Sequence, residues 1–389
     1  MGGPMNLKKG ALRLLPVVGT ICLLGASLPM ATAHAAPSYQ VIASGLDNPR
    51  GLAFDSMGQL YVAEGGKGGT GPCVESPEGD GKSCFGPTGA ITRIFHGQQE
   101  RIVTGLPSIA GEDGSASGPV DVAVVHPGLM NVVIGLGGNT DLRDTLGTEA
   151  NKLGHLVQIS KEHPGLNATV DWKNAVDLAA YERDQNPDGG ENDTNPYALT
   201  LDRFGNAIVA DAGGNDLLKV DVWGNVSTIA TFPDRMVAAP AFLGMPAGSK
   251  IPMQAVPTAV ARGLHGEYYV AELTGFPFPA GAAQVYLVNG SGHPKPQVIA
   301  GGFTNIIDLA VGKDGSLYVL EIAKDGLMAA GENGPTGALI KIAPNGQQTT
   351  LMTDGLVAPG GLAIGPDNNL YVSNYSVSAG QGEVIRILQ

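Results

Sequence analysis

Five side chains able to hold or polarise a ligand end the same short phrase. Tyr61-Val-Ala-Glu64, Ile208-Val-Ala-Asp211, Tyr269-Val-Ala-Glu272, Tyr318-Val-Leu-Glu321 and Tyr371-Val-Ser-Asn374 each finish on a carboxylate or an amide oxygen. A second set stands upstream of these phrases: Arg50, Asp121, Asn195, Asn305 and Asp308. Converging oxygens of this kind suit a hard cation such as Ca²⁺, which could then act as a Lewis acid on a bound substrate. The same residues have a plainer use. A carboxylate at the end of a strand can accept the backbone N–H groups of the next turn, and the acids are then a feature of the repeat. The asparagines can likewise be turn residues.

A second oxygen-rich run is Asp184-Gln-Asn186-Pro-Asp188-Gly189, which matches the opening of a calcium loop, with ligands at alternate positions and Gly at the sharp bend. Its twelfth position is Asn195 in place of the bidentate Glu, so an Asx-rich turn is the competing reading. Other chemistries find little support. There is no Gly-x-Ser-x-Gly elbow, and the histidines show neither HxxxH nor HExxH spacing. Gly135-Leu-Gly137-Gly138 lacks the third glycine and the βαβ setting of a dinucleotide fold. Phe276-Pro-Phe278-Pro279 reads either as an apolar rim that grips a ligand or as a packed loop.

The elements that must position these residues follow from the repeat. Each copy begins near Pro or Asn, runs through a small-residue strand, turns at Gly and ends in the acidic phrase. Pro49–Glu64, Pro119–Gly135, Pro196–Asp211, Pro257–Glu272, Ile306–Glu321 and Pro359–Asn374 are the six copies. A further strand pair follows each, as in Gly89–Ile94 with Glu100–Val103. Four antiparallel strands per repeat make one propeller blade. The expectation is an all-β, six-bladed β-propeller, with blades at about 45–107, 118–172, 195–233, 255–303, 304–356 and 358–389. Markers at residues 53, 123, 200, 261, 310 and 363 stand further apart in the first three copies, against about 40–50 residues for an ordinary propeller repeat, so those blades carry insertions. One helix is expected, over Asn174–Glu182. The sixth copy lacks a fourth strand, and Tyr39-Gln-Val-Ile-Ala43 is left over before the first. Residues 38–44 should complete the last blade, closing the ring and removing its free edges.

The N-terminal segment reads as a secretory signal over residues 1–36: basic Lys8-Lys9, an apolar stretch from Leu14 to Leu28, and small residues at Ala33, Ala35 and Ala36. The stretch is short for a membrane span, and Cys22 has no lipobox before it. Cleavage near Ala35/Ala36 would remove Lys8, Lys9 and Arg13 and no acid, leaving 20 basic residues of the original 23 against all 36 acidic ones. Such a chain repels nucleic acid, and residues 37–389 hold no membrane span. Cys73 and Cys84 remain as an even pair in one Gly/Pro/Asp-rich loop, which in an exported chain reads as a disulfide; zinc is the weaker alternative, since no histidine lies between them.

The longer phrases are more distinctive than a generic NHL repeat. Asn186-Pro-Asp-Gly-Gly190 with Asp193-Thr-Asn-Pro-Tyr197, Ala210-Asp-Ala-Gly-Gly-Asn215-Asp-Leu-Leu-Lys-Val220, Leu273-Thr-Gly-Phe-Pro-Phe-Pro279 and Asn48-Pro-Arg-Gly-Leu together resemble the ScyD/ScyE family of exported propeller proteins. The resemblance runs through residues 37–389. It implies the propeller fold and carries with it no established reaction or catalytic residue. The function expected is a secreted or periplasmic binding or scaffold module, whose loop-rich face and acidic channel mouth engage a small molecule, a polymer or a protein. The alternative is a Ca²⁺-dependent lactonase, hydrolase or lyase acting at the same mouth.

Overall fold

Short strands alternating with tight Asp-x-x-Gly turns build the molecule. In the turn after the first strand, Asp55 Oδ1 accepts from Met57 N and Gln59 N at 2.9 and 2.8 Å, and Gly58 takes a φ of +81°. The same arrangement recurs at Asp202 with Gly205 and at Asp221 with Gly224. The short acceptor side chain replaces a missing backbone partner, and glycine supplies the left-handed backbone the turn requires. The structure is a computed structural model describing residues 38–75, 81–161, 168–289, 295–329 and 334–388, so the leader expected over residues 1–36 lies outside the described residues.

Six four-stranded antiparallel blades form a β-propeller. From the channel outwards, strands a to d of blade 1 are Pro49–Phe54, Leu60–Glu64, Lys82–Phe95 and Gln98–Ala110. Blade 2 is Pro119–His126, Leu129–Ile134, His155–Ser160 and Thr169–Asp177. Blade 3 is Pro196–Leu201, Ala207–Asp211, Asp216–Val220 and Val226–Thr231, and blade 4 is Pro257–Arg262, Tyr268–Glu272, Ala283–Val288 and Gln297–Phe303. Blade 5 is Ile306–Val311, Leu317–Glu321, Ala338–Ile342 and Gln348–Met352. Blade 6 takes Gly361–Ile364, Leu370–Asn374 and Ala379–Ile387 from the end of the chain and Tyr39–Asp47 from its beginning. That closing strand pairs antiparallel with Ala379–Ile387 from Tyr39↔Ile387 to Asp47↔Ala379, running past the residue-44 end expected from sequence.

The core lies in the seams between blades. Strand b of blades 1, 3, 5 and 6 is buried at every position, because a neighbouring blade covers each face. One seam joins Ala259, Ala271 and Val285 of blade 4 to Leu309, Leu317 and Val319 of blade 5. The outer strands face solvent, and Gln348–Met352 is buried only at its end.

Among the described residues two α-helices stand outside the blades. The expected helix over Asn174–Glu182 is found at Leu178–Gln185, because Asn174–Asp177 continue strand d of blade 2, with Val176 opposite Leu156 and Asp177 opposite His155. Asp177 is the N-cap, and its side chain accepts from Ala180 N at 2.9 Å. The shorter helix Thr140–Thr145 was not anticipated; Asn139 caps it by accepting from Asp141 N. Cys73 and Cys84 face each other across a small hairpin and are joined by a disulfide.

Candidate functional site

The a–b and c–d turns sit at one face of the ring, and the b–c and d–a connections at the other. This follows from strand order alone, since strand a starts and strand b ends at the same level, as Pro49↔Glu64 and Pro257↔Glu272 pair. The long connections therefore gather on the second face. They include residues 65–75 in blade 1, 135–154 in blade 2 and 178–194 between blades 2 and 3. Those of blades 1 and 2, with residues 111–117, wall a cavity of about 510 Å³ over the ring's centre, which residues 178–194 do not reach.

The strand-end acids do not line this cavity. Glu64 is wholly buried. Its Oε2 accepts from Asp47 N at 2.7 Å, and both its oxygens take a forked pair of bonds from Arg101 at 2.9 and 2.6 Å. The pairing raises the Arg101 pKa. Asp211 accepts from Asn195 N at 2.6 Å, from the N–H groups of Gly213 and Gly214, and from the Thr194 hydroxyl. Glu321 accepts from Thr304 N at 2.7 Å, and Asn374 Oδ1 from Val357 N at 2.8 Å. Glu272 pairs with Arg235 and accepts from Tyr286 OH; burial nevertheless raises its pKa to about 7. In four blades the strand-end side chain thus clasps the connection entering its own strand a. These groups join neighbouring blades.

Arg50 and Asn195 do line the cavity. Arg50 is the second residue of strand a in blade 1. Its guanidinium donates to Tyr197 OH of blade 3 at 3.2 Å and to Ala116 O at 3.1 Å, and it forms no ion pair among the described residues. The other arginine on the wall, Arg143, is committed to Asp177 at 2.7 Å. The rest of the wall is mixed, with Leu136, Leu273, Ile307 and Val377 beside Glu112, Asp113, Asn139 and Thr258. The Phe276–Pro279 segment, read from sequence as a rim or a packed loop, does not reach it. Phe276 packs instead on Phe242 and Phe278, with ring centroids 6.2 and 6.3 Å away.

Asp121 and Asp308 occupy the next position along strand a in blades 2 and 5, which stand opposite each other in a six-membered ring. Both line a second space of about 420 Å³ along the central channel. Each carboxylate accepts from the following blade, Asp121 from Leu199 N at 2.7 Å and Asp308 from Leu362 N at 2.6 Å. Burial first, and the Asp308 charge second, push Asp121 well above the usual carboxylate range. Burial raises Asp308 to about 7 against the pull of its two backbone donors.

The run nominated as a calcium loop is divided. Asp184 lies in the helix, exposed and paired with Arg183 at 3.2 Å. Asn186 caps the helix C-terminus with a φ of +39°, and Asp188 turns to Gly190 N and Asn215 Nδ2. Among the described residues no group of three or more His, Cys, Asp or Glu side chains is held at metal-binding geometry, and no helix is long and apolar enough to cross a membrane. Sequence reasoning missed Tyr197 and the apolar part of the wall, whose signal was the changing residue at the second position of strand a: Arg50 in blade 1, Tyr197 in blade 3, Thr258 in blade 4 and Ile307 in blade 5.

No family model matches the chain, and no curated protein matches it in sequence. Solved structures do. A putative oxidoreductase (glucose dehydrogenase) from Thermus thermophilus is similar with a TM-score of 0.52 at 16% identity, over 91% of this chain and 100% of the other. A further glucose dehydrogenase gives 0.51 at 15% identity over 91% and 100%. A protein of unknown function from Bacteroides thetaiotaomicron gives 0.52 at 10% identity, over 90% and 72%. At such identities the likeness is one of fold alone.

Proposed function

We propose that this chain is an exported binding module of the ScyD/ScyE type, whose ligand is a small, largely apolar molecule carrying an anionic group. The observation that carries this reading is Arg50, a guanidinium without an ion pair among the described residues, on a wall where apolar side chains such as Leu273 and Ile307 alternate with polar ones, Glu112 and Asp113 among them. Guanidinium is a planar donor fork matched to carboxylate and phosphate. A volume of about 510 Å³ lies within the range of small-molecule sites. Export rests on the basic, apolar and small-residue segments of residues 1–36, and the Cys73–Cys84 disulfide accords with an oxidising compartment. The competing reading, a Ca²⁺-dependent lactonase, hydrolase or lyase at the channel mouth, needs ligating carboxylates there. The strand-end acids Glu64, Asp211, Glu272 and Glu321 instead spend oxygens on backbone donors, arginines or hydroxyls.

Thermal unfolding in the presence of apolar carboxylic acids and their methyl esters tests the reading. The acids should raise Tm and the esters should not. A ligand at a hundred times its Kd adds about 2.7 kcal/mol, which is readily measured. Arg50→Met should abolish the shift, while the loss of its two hydrogen bonds costs the free protein only about 1–2 kcal/mol. Equal shifts with acids and esters, or an acid-induced shift that survives in Arg50→Met, would sink it.

A further inference from the structure

The chain passes from blade 4 to blade 5 through two residues, Thr304 and Asn305, but from blade 3 to blade 4 through residues 232–256. The extra length forms a hairpin, in which Arg235–Ala238 pairs with Lys250–Met253 from Arg235↔Met253 to Ala238↔Lys250. A lone two-stranded hairpin is marginally stable, and this one is fixed at its base. The Arg235 guanidinium pairs with Glu272 and donates to Ala282 O at 3.0 Å, and Met253 is buried. Beyond the paired strands, residues 241–248 are exposed without a break, as Ala241-Phe242-Leu243-Gly-Met245-Pro-Ala-Gly. This tip bonds to itself: Leu243 N donates to Pro240 O and Gly244 N to Ala241 O, both at 3.1 Å, and Ala239 N to Ser249 O at 2.9 Å. Crossing between blades therefore does not require the hairpin, and its shape is set without burying its tip.

What the tip lacks is charge. Residues 235–266 contain no Asp or Glu, in a chain that carries 36 acids and a net charge of −13. Of the bases in that stretch, Arg235 is bound to Glu272, Arg262 belongs to strand a of blade 4, and Lys250 stands exposed where the hairpin strands begin to pair. Phe242 is 66% exposed, with Leu243, Met245 and Met236 also exposed on the same hairpin. Phe276 of blade 4 is exposed too and meets Phe242, with 6.2 Å between ring centroids, so the apolar patch extends across two connections. Single exposed apolar side chains are ordinary; a contiguous group of them marks an interaction site.

We infer that residues 241–248, with Phe276, form a docking tip that inserts shallowly into the surface of a lipid bilayer. Three observations choose this occupant. The tip is uncharged and apolar, which matches hydrocarbon, and Lys250 is placed to meet a headgroup phosphate while no acid of the hairpin opposes it. Five apolar side chains offer far less than the roughly 800 Å² per partner that a stable protein interface buries, so a second copy of the chain would gain little. A protruding tip needs a shaped pocket in a protein partner and none in a bilayer, where binding scales with the apolar area buried. Shallow insertion also keeps the irregular backbone out of the hydrocarbon centre. The hairpin leads back to Val256, whose carbonyl accepts from Leu273 N at 2.9 Å, and both residues line the cavity. Docking by this tip therefore holds the cavity on the bilayer side of the ring. The docking itself does not depend on the ligand proposed for that cavity.

The test uses residues 37–389, which contain every strand of the ring and omit the apolar stretch of residues 14–28. Sedimented with sucrose-loaded phosphatidylcholine vesicles, the chain should enter the pellet, and equally so at low and high salt, since apolar insertion is not screened. Adding phosphatidylglycerol to the vesicles should not strengthen binding, given the chain's net negative charge. The double variant Phe242→Ser/Leu243→Ser should lower the bound fraction about tenfold or more at unchanged Tm. Should it disturb the hairpin, Met245→Asp, which places a charge in the tip, is expected to give the same loss. Trp223→Ser is the control: it removes a side chain 84% exposed on the c–d turn of blade 3, at the opposite face, and should leave binding intact. The inference is overturned if the wild-type chain stays in the supernatant, if high salt releases it, or if Trp223→Ser lowers binding as much as the tip variants. A dimer on size-exclusion chromatography that Phe242→Ser/Leu243→Ser dissociates would assign the tip to a second copy and overturn it as well.

Discussion

Asp121 and Asp308 show how one residue type takes its properties from its place. Both stand at the third position of strand a, on opposite sides of the channel, and both are pushed up by burial, with Asp308 reaching about 7. An unfolded aspartate ionises near pH 3.9. Between about 4 and 7 the folded chain therefore holds a proton at Asp308 that the unfolded chain has lost. Stability consequently falls as pH rises through that window and is level, for this group, above it. Glu272 and Glu321, each raised to about 7 chiefly by burial, contribute with the same sign. Urea unfolding at pH 4.5, 6 and 7.5 should show the decline, and Asp308→Asn should make it shallower. A wild-type chain that gains stability over this interval would contradict the assignment.

At the scale of elements, the recurring acid is a clasp between strands. Glu64 holds the end of the closing strand through Asp47 N and is itself held by Arg101, so one side chain links strand b of blade 1 to blade 6. Glu64→Gln keeps the shape but removes the charge from these bonds, and should cost about 2–3 kcal/mol by analogy with other hydrogen bonds to charged groups. Chemical denaturation measures this directly. Because Glu64 does not line the cavity, ligand affinity should be unaffected; a variant that unfolds normally yet loses binding would make Glu64 part of the site after all. Asn48, Asn215 and Asn305 complement these clasps. Each adopts a positive φ and uses its side-chain amide on nearby backbone, as Asn215 Oδ1 does with Val256 N at 2.9 Å and Asn305 Oδ1 with Leu327 N at 3.0 Å. Asparagine tolerates the left-handed region better than most residues, which is why it recurs at these joints.

At the scale of the whole molecule, closure depends on Tyr39–Asp47. Without it, blade 6 keeps three strands and exposes the edge of Ala379–Ile387, a template for pairing with another chain. A chain beginning after Asp47 should unfold at lower temperature and form oligomers on size-exclusion chromatography; a monomer with unchanged Tm would show that the ring closes without this strand. The same circular order explains why the long connections gather on one face. Strand alternation sends every b–c and d–a connection to the face where strand b ends, so the long connections of blades 1 and 2 meet over one opening.

The repeat, its count and the swapped closing strand were legible in the linear chain because each depends on local pattern: an apolar run of fixed length, a turn glycine, and a leftover at one end equal to a deficit at the other. The cysteine pair was legible for a similar reason, as a short loop between adjacent strands. Which oxygens face a cavity, which are buried in a joint and which lack a partner depended on packing. Glu64 and Arg50 sit fourteen residues apart in one repeat, yet the first turns into the seam and the second into the cavity. Asp216 carried no signal of its own in sequence, because its surroundings include Glu182 on an insertion that only the folded chain brings near it. The helix boundary moved for a related reason: pairing with strand His155–Ser160 held Asn174–Asp177 in the sheet until Asp177 could cap the helix. Periodicity along the chain determines a strand and its neighbours in a repeat; the fate of a polar side chain is decided by what the rest of the fold places beside it.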